Sequence, residues 1–133
     1  MSYRIEEKIP MTYIDSERFI QSLISDGAKE LFPKREIKSI YFDNNQFGMF
    51  LDSEEGLLPR KKIRIRHYPL SQRIDYFLEI KVSSIEGRFK TTDELVGPDY
   101  QKIFKSGYWD SSYGYTEKKV SVTYYREYYS FNG

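Results

Sequence analysis

The sequence predicts an α+β fold, mostly antiparallel, whose strands curl into a barrel or cupped sheet. Three observations predict it. Segments with a charged residue at every second position recur along the chain, stretches of helical spacing lie among them, and aromatic residues make up 17 % of the 133 residues, with Tyr, Val and Ile crowded into the alternating segments.

The first strand is expected from Tyr3 to about Ile9, where Arg4, Glu6 and Lys8 alternate with Tyr3, Ile5 and Ile9, and Pro10 ends its ladder. A helix follows, capped by Asp15 or Ser16, with Phe19, Ile20, Leu23 and Ile24 as one apolar stripe and Gly27 closing it. Glu36 to Asp43 reads as a strand with Ile37, Ser39, Tyr41 and Asp43 on one face and Lys38, Ile40 and Phe42 on the other. Asn44 to Leu51 is expected to form a short helix with Phe47, Phe50 and Leu51 inward, for which Asp43 would serve as a cap. A Glu54-Glu55-Gly56 turn leads to Arg60–Tyr68. There Arg60, Lys62, Arg64 and Arg66 share one face, and Ile63 and Ile65 share the other with His67, which is assigned no chemistry. In the strand Tyr76–Ser83, Tyr76, Leu78, Ile80 and Val82 form an apolar row while Glu79 and Lys81 point the opposite way. Arg88–Thr92 adds a short strand. Gly97-Pro98 opens a helix that turns Tyr100, Ile103 and Phe104 inward and ends near Gly107. Tyr108 to Thr116, rich in Gly, Ser and Tyr, reads as a loop before a last strand from Lys118 to about Phe131.

The whole reads as one domain, with no repeat at a solenoid period and no interdomain linker. Charge is nearly balanced, 21 Lys and Arg against 20 Asp and Glu, so general attraction to nucleic acid or an acidic membrane is not expected. An anion site has to come from local clustering, and the repeated cationic strand faces supply it: a concave surface suited to a highly charged anion. The absence of cysteine removes thiolate chemistry and cysteine-ligated zinc, and a single histidine excludes a multi-histidine centre within one chain. No apolar run approaches the roughly 18–20 residues of a membrane span, and the N-terminus has no signal-peptide core, so a cytoplasmic location is expected. Tyr124, Tyr125, Tyr128 and Tyr129 could stack on bases but read better as residues of an amphipathic strand.

Six segments in order resemble a known family: Arg4-Ile-Glu6-Glu-Lys8, Ser39-Ile-Tyr-Phe-Asp43, Lys62-Ile-Arg64-Ile-Arg66, Phe77-Leu-Glu79-Ile-Lys81, Gly87-Arg-Phe-Lys90 and Tyr124-Tyr-Arg126. Together they resemble the VTC domain of polyphosphate polymerases, within the triphosphate tunnel (CYTH-like) superfamily. The resemblance implies an antiparallel β tunnel barrel with a few flanking helices, and a lumen that holds ATP and a growing phosphate chain with a divalent metal, Mn2+ or Mg2+. It implies phosphate contacts from Lys8, Arg64, Arg66, Lys81, Lys90 and Arg126. Of these, Lys8, Arg64 and Arg66 would be catalytic, and Glu6 is the candidate metal ligand. Cations of this kind stabilise the charge that develops on phosphoryl oxygens during transfer, and arginine adds bidentate contacts.

The triphosphatase and cyclase branch opens with Glu-x-Glu-x-Lys; Arg4 at the first of these positions points to the polymerase branch. The family continues past the Tyr-x-Arg strand with another arginine-bearing strand and a late metal-binding glutamate, whereas this chain stops at Gly133. The expectation is therefore the N-terminal portion of an incomplete tunnel. The implied function is transfer of the terminal phosphoryl group of ATP onto polyphosphate, the alternatives being a non-catalytic sensor of polyphosphate, pyrophosphate or nucleotide, and a metal-dependent triphosphatase. If the chain is complete in itself, a homodimer through the edge near Lys118–Phe131 is expected.

Overall fold

The computed structural model describes residues 6–73 and 75–132. Three helices and six strands follow in the order α1 (Tyr13–Ser25), β1 (Lys29–Asp43), α2 (Gly48–Glu55), β2 (Arg60–His67), β3 (Tyr76–Ser84), β4 (Gly87–Leu95), α3 (Pro98–Ser106), β5 (Tyr108–Asp110) and β6 (Gly114–Ser130). The strands form one sheet in the order β4-β3-β2-β1-β6-β5. The pairings β1–β2, β2–β3, β3–β4 and β5–β6 are antiparallel. Among the described residues β4 and β5 are the two ends of the sheet, so the α+β class is met by an open sheet, as expected for an incomplete tunnel.

The chain divides into two compact units, Met1–Lys34 with Glu127–Gly133, and Arg35–Arg126. The first contains α1. Its N-cap is Thr12, whose hydroxyl accepts a hydrogen bond from the Asp15 amide at 3.1 Å, so the helix starts one turn before the expected caps. Asp15 instead lies in the first turn, where its charge suits the helix dipole. Ile20 and Leu23 are half-buried, whereas Phe19 and Ile24 are exposed. Beyond the helix, Phe32 meets Tyr128 edge-on at 5.7 Å, and Lys34 lies 3.8 Å from Glu127. The first expected strand is not found: Tyr3–Ile5 lie outside the described residues, and Glu6–Pro10 have no strand structure.

The second unit holds the core. Register places Ile40 opposite Ile65, Phe42 opposite Ile63, and these opposite Leu78 and Ile80. Their shared face is covered by Met49 of α2 and by Ile103 and Phe104 of α3. His67 lies on this face too, its ring 4.8 Å from that of Tyr76, and burial lowers its pKa. The α2 helix begins later than its composition suggests because Asp43 organises its start. One carboxylate oxygen accepts from the Asn44 and Met49 amides at 2.8 and 3.0 Å, the other from the Phe50 amide at 3.0 Å. With the first turn anchored there, Met49 faces the sheet, and Phe47, Phe50 and Leu51, expected inward, are exposed. The proposed cap role of Asp43 is met.

The segment expected as a loop, Tyr108–Thr116, is a hairpin with Trp109 opposite Tyr115. Asp110 folds its turn by accepting from the Ser112 and Tyr113 amides at 2.9 and 3.0 Å, and it holds Lys61 at 2.9 Å. Gly107, at φ +85°, is required before the hairpin: a Cβ there would strike the Thr116 carbonyl oxygen. β1 also starts earlier than the expected Glu36, at Lys29, and runs through Pro33.

Candidate functional site

The sheet face opposite the core is built from positions that alternate with it. Cross-strand register turns these into rows. Arg60 pairs with Ser83 and that with Arg88; Lys62 with Lys81 and that with Lys90; Arg64 with Glu79 and that with Thr92; Arg66 with Phe77 and that with Glu94. On β2, β3 and β4 this face thus carries seven cations, Arg60, Lys62, Arg64, Arg66, Lys81, Arg88 and Lys90, against Glu79 and Glu94. The whole chain has a formal charge of only +1, so the positive field comes from placement and not from composition.

Glu79 is the hub of the face. It is 4 % exposed and accepts from Arg64 Nε at 3.2 Å and Arg64 Nη2 at 2.8 Å. Lys90 Nζ lies 3.2 Å from it and Arg66 Nη1 3.8 Å. Burial alone would push this carboxyl up, but Arg64, Arg66 and Lys90 outweigh it and hold it below its ordinary range. Arg64, 7 % exposed, donates its remaining Nη1 to the Tyr41 hydroxyl at 3.2 Å; burial opposes its charge, and the bonds to Glu79 and Tyr41 more than compensate, raising its pKa. Arg66 reaches across β1, donating to Ser39 Oγ at 3.4 Å and to the Tyr124 hydroxyl at 3.1 Å. The Arg126 guanidinium sits 5.6 Å from the centre of the Tyr124 ring.

The Lys62–Lys81–Lys90 row is of another kind. Like charges directly opposite one another disfavour a sheet. Among the described residues neither Lys62 nor Lys81 makes an ion pair, and only Lys90 reaches Glu79. Partial burial lowers the Lys81 pKa, and Arg64, Lys90 and Arg66 lower it further, with Glu79 a smaller opposing influence. An ammonium held in that state gains by receiving an anion.

Of the residues expected at the site, Arg64, Arg66, Lys81 and Lys90 share this face, and Arg126 is joined to it through Tyr124. Lys8 and Glu6 are exposed, lie outside any strand and belong to the other unit. Among the described residues no three His, Cys, Asp or Glu side chains converge on one point, and Glu79 is already surrounded by cations. The sequence reading did not single out Ser39, Tyr41, Tyr124 and Lys62 as site residues. Ser39 and Tyr41 were on the correct face by alternation, and register with Arg66 and Arg64 is what joins them to the site.

The fold and this face together define an antiparallel α+β sheet domain with helices over its apolar face and a dense cation array on the other. The chain matches the VTC domain family model over residues 3–131 and belongs to that family, whose function is in general polyphosphate-related. No curated protein matches it in a sequence comparison. Among the described residues no helix is long and apolar enough to cross a membrane.

Proposed function

We propose that the cationic face binds the phosphate chain of ATP and of polyphosphate, and that the domain acts as a polyphosphate polymerase-type transferase. The observation that carries this reading is the in-register row Lys62–Lys81–Lys90, three lysines across adjacent strands with, among the described residues, a single carboxylate contact, that of Lys90 with Glu79. In the proposed reaction a terminal oxygen of the acceptor chain attacks the γ-phosphorus of ATP. The bond from that phosphorus to the β,γ-bridging oxygen breaks, and ADP leaves with the electron pair. Lys62, Lys81, Lys90 and Arg66 bear on the phosphoryl oxygens, where charge accumulates, with Arg126 flanking them. Arg64 acts from beneath, fixing Glu79 and adding its charge to the field. Lys8 enters as a phosphate contact on the family resemblance alone. Mn2+ or Mg2+ enters this reading as the ion carried by the nucleotide's own phosphates, which often supply most of the ligands such ions keep.

The test is incubation with ATP, polyphosphate primer and Mn2+, with products resolved on a gel. Chains longer than the primer support the transferase; binding of tripolyphosphate by calorimetry without elongation supports a second reading, a non-catalytic sensor. That reading draws on Glu79, which already neutralises part of the face and leaves a surface suited to holding an anion. Absence of binding even at low salt, where screening is weakest, rules out both.

A further inference from the structure

A cleft of about 540 Å3 opens at the end of the sheet where α2 meets β1 and β2. That size lies within the range of small-molecule sites, about 300–1,000 Å3. Its walls are apolar and aromatic, with Phe42, Met49 and Ile63 buried and the rings of Phe47 and Phe50 exposed. Two of its lining residues also belong to the cationic face: Lys62, which heads the lysine row, and Tyr41, whose hydroxyl accepts from Arg64. Ser53 and Glu54 at the cleft supply acceptors, and Lys119 lies 5.2 Å from the centre of the Phe47 ring. Phe47 is held at φ +54°, an unusual conformation for a bulky residue, and the Asp43 and Asn44 side chains fix the turn around it.

We infer that this cleft receives the aromatic base of a nucleoside triphosphate whose phosphates lie on the Lys62–Lys81–Lys90 row. The inference rests on the phosphate-binding reading above and deepens it: the domain would distinguish a nucleotide from a bare phosphate chain. The occupant follows from the chemistry on the two sides of Lys62. A flat ring with polar edges suits exposed aromatic rings beside hydroxyl and carboxylate acceptors, and its attached anion suits the adjoining lysines. An apolar peptide would leave the lysine row unused, and a phosphate chain alone would leave the aromatic walls bare.

The experiment compares ATP with inorganic tripolyphosphate by calorimetry on the full chain, for the native protein and for Phe50→Ala and Phe47→Asn. Phe50 is 57 % exposed, so its truncation spares the core, and asparagine tolerates the backbone of Phe47. Thermal midpoints establish that both variants are folded. The expected result is a loss of ATP affinity of roughly tenfold in each variant, with tripolyphosphate affinity unchanged. Equal binding of the two ligands, unaltered by either variant, overturns the base-binding cleft and leaves the phosphate face standing. Equal losses for both ligands overturn it as well, because the rings would then support the phosphate site and not a base. Failure of the native protein to bind either ligand overturns the phosphate reading, and this inference with it.

Discussion

Two neighbouring rows of one sheet face, Arg64–Glu79–Thr92 and Lys62–Lys81–Lys90, are made by the same three strands one pleat apart. In the first, Arg64 and Glu79 are buried and matched, with Glu79 receiving two bonds from one guanidinium. The second is exposed and has three cations side by side, with one lateral contact to Glu79. On sequence alone the cations of both rows look alike. Their difference in depth shows that a cation on a strand face can hold the sheet together or be offered to a ligand, and the partner opposite it decides which.

The largest expected effect comes from breaking the matched row. Glu79→Ala leaves the Arg64 guanidinium buried without its carboxylate and should cost about 3–5 kcal/mol of stability in urea unfolding. Arg64→Ala should act in the same direction, because it leaves the Glu79 carboxylate buried without its principal partner. The pair Arg64→Met with Glu79→Leu should recover most of the loss. If Glu79→Ala unfolds at the native urea concentration, the matched row is not structural and the comparison fails.

The lysine row should respond in the opposite way. Lys81→Ala should weaken tripolyphosphate binding by about 1.5–3 kcal/mol, as for a hydrogen bond to a charged group, and change stability by no more than about 0.5 kcal/mol. Calorimetry and thermal unfolding of the same sample separate the two quantities. A clear fall in stability with unchanged affinity would make Lys81 another structural cation.

Acid should discriminate between the rows as well. Glu79 titrates below its ordinary range in the folded chain, as does Asp110, where burial is outweighed by Lys61 and by the Ser112 and Tyr113 amides. A depressed carboxyl stabilises the fold fully above its unfolded pKa and loses that contribution as pH falls through the folded value. The thermal midpoint should therefore hold down to about pH 4.3, the ordinary glutamate value, and decline below it. Glu79→Gln should flatten that decline, whereas Lys81→Ala should leave it in place. The smallest effect is expected at the margin of the face. Tyr124→Phe removes one hydrogen bond to Arg66 and should cost about 0.5–1.5 kcal/mol, read as a small shift in urea midpoint.

Much of the architecture was legible in the chain because periodicity is a local property. Alternation assigned the faces of β1, β2 and β3 correctly, down to His67 on the side away from Arg66, and Gly97-Pro98 and Gly107 bounded α3. Elements whose limits depend on side chains closing turns were read less well. The hairpin at Asp110 reads as a loop in sequence, and the start of α2 reads too early, because the bonds that later amides donate to Asp110, Asp43 and Asn44 have no periodic signature.

By itself the sequence determined which residues alternate onto a common polar face, since the two-residue repeat of a strand does not depend on its neighbours. It thereby set Arg60, Lys62, Arg64 and Arg66 on one face of their strand and Glu79 with Lys81 on one face of the next, while Lys90 entered through the family resemblance. Only the tertiary structure decided that Arg64 lies buried beneath Glu79, that Lys62, Lys81 and Lys90 stand abreast, and that an aromatic cleft opens beside them. Register between strands and depth within the sheet arise from long-range packing: the Coulomb energy of a cation depends on what faces it across the ladder and how much water remains, and neither is written in its own strand.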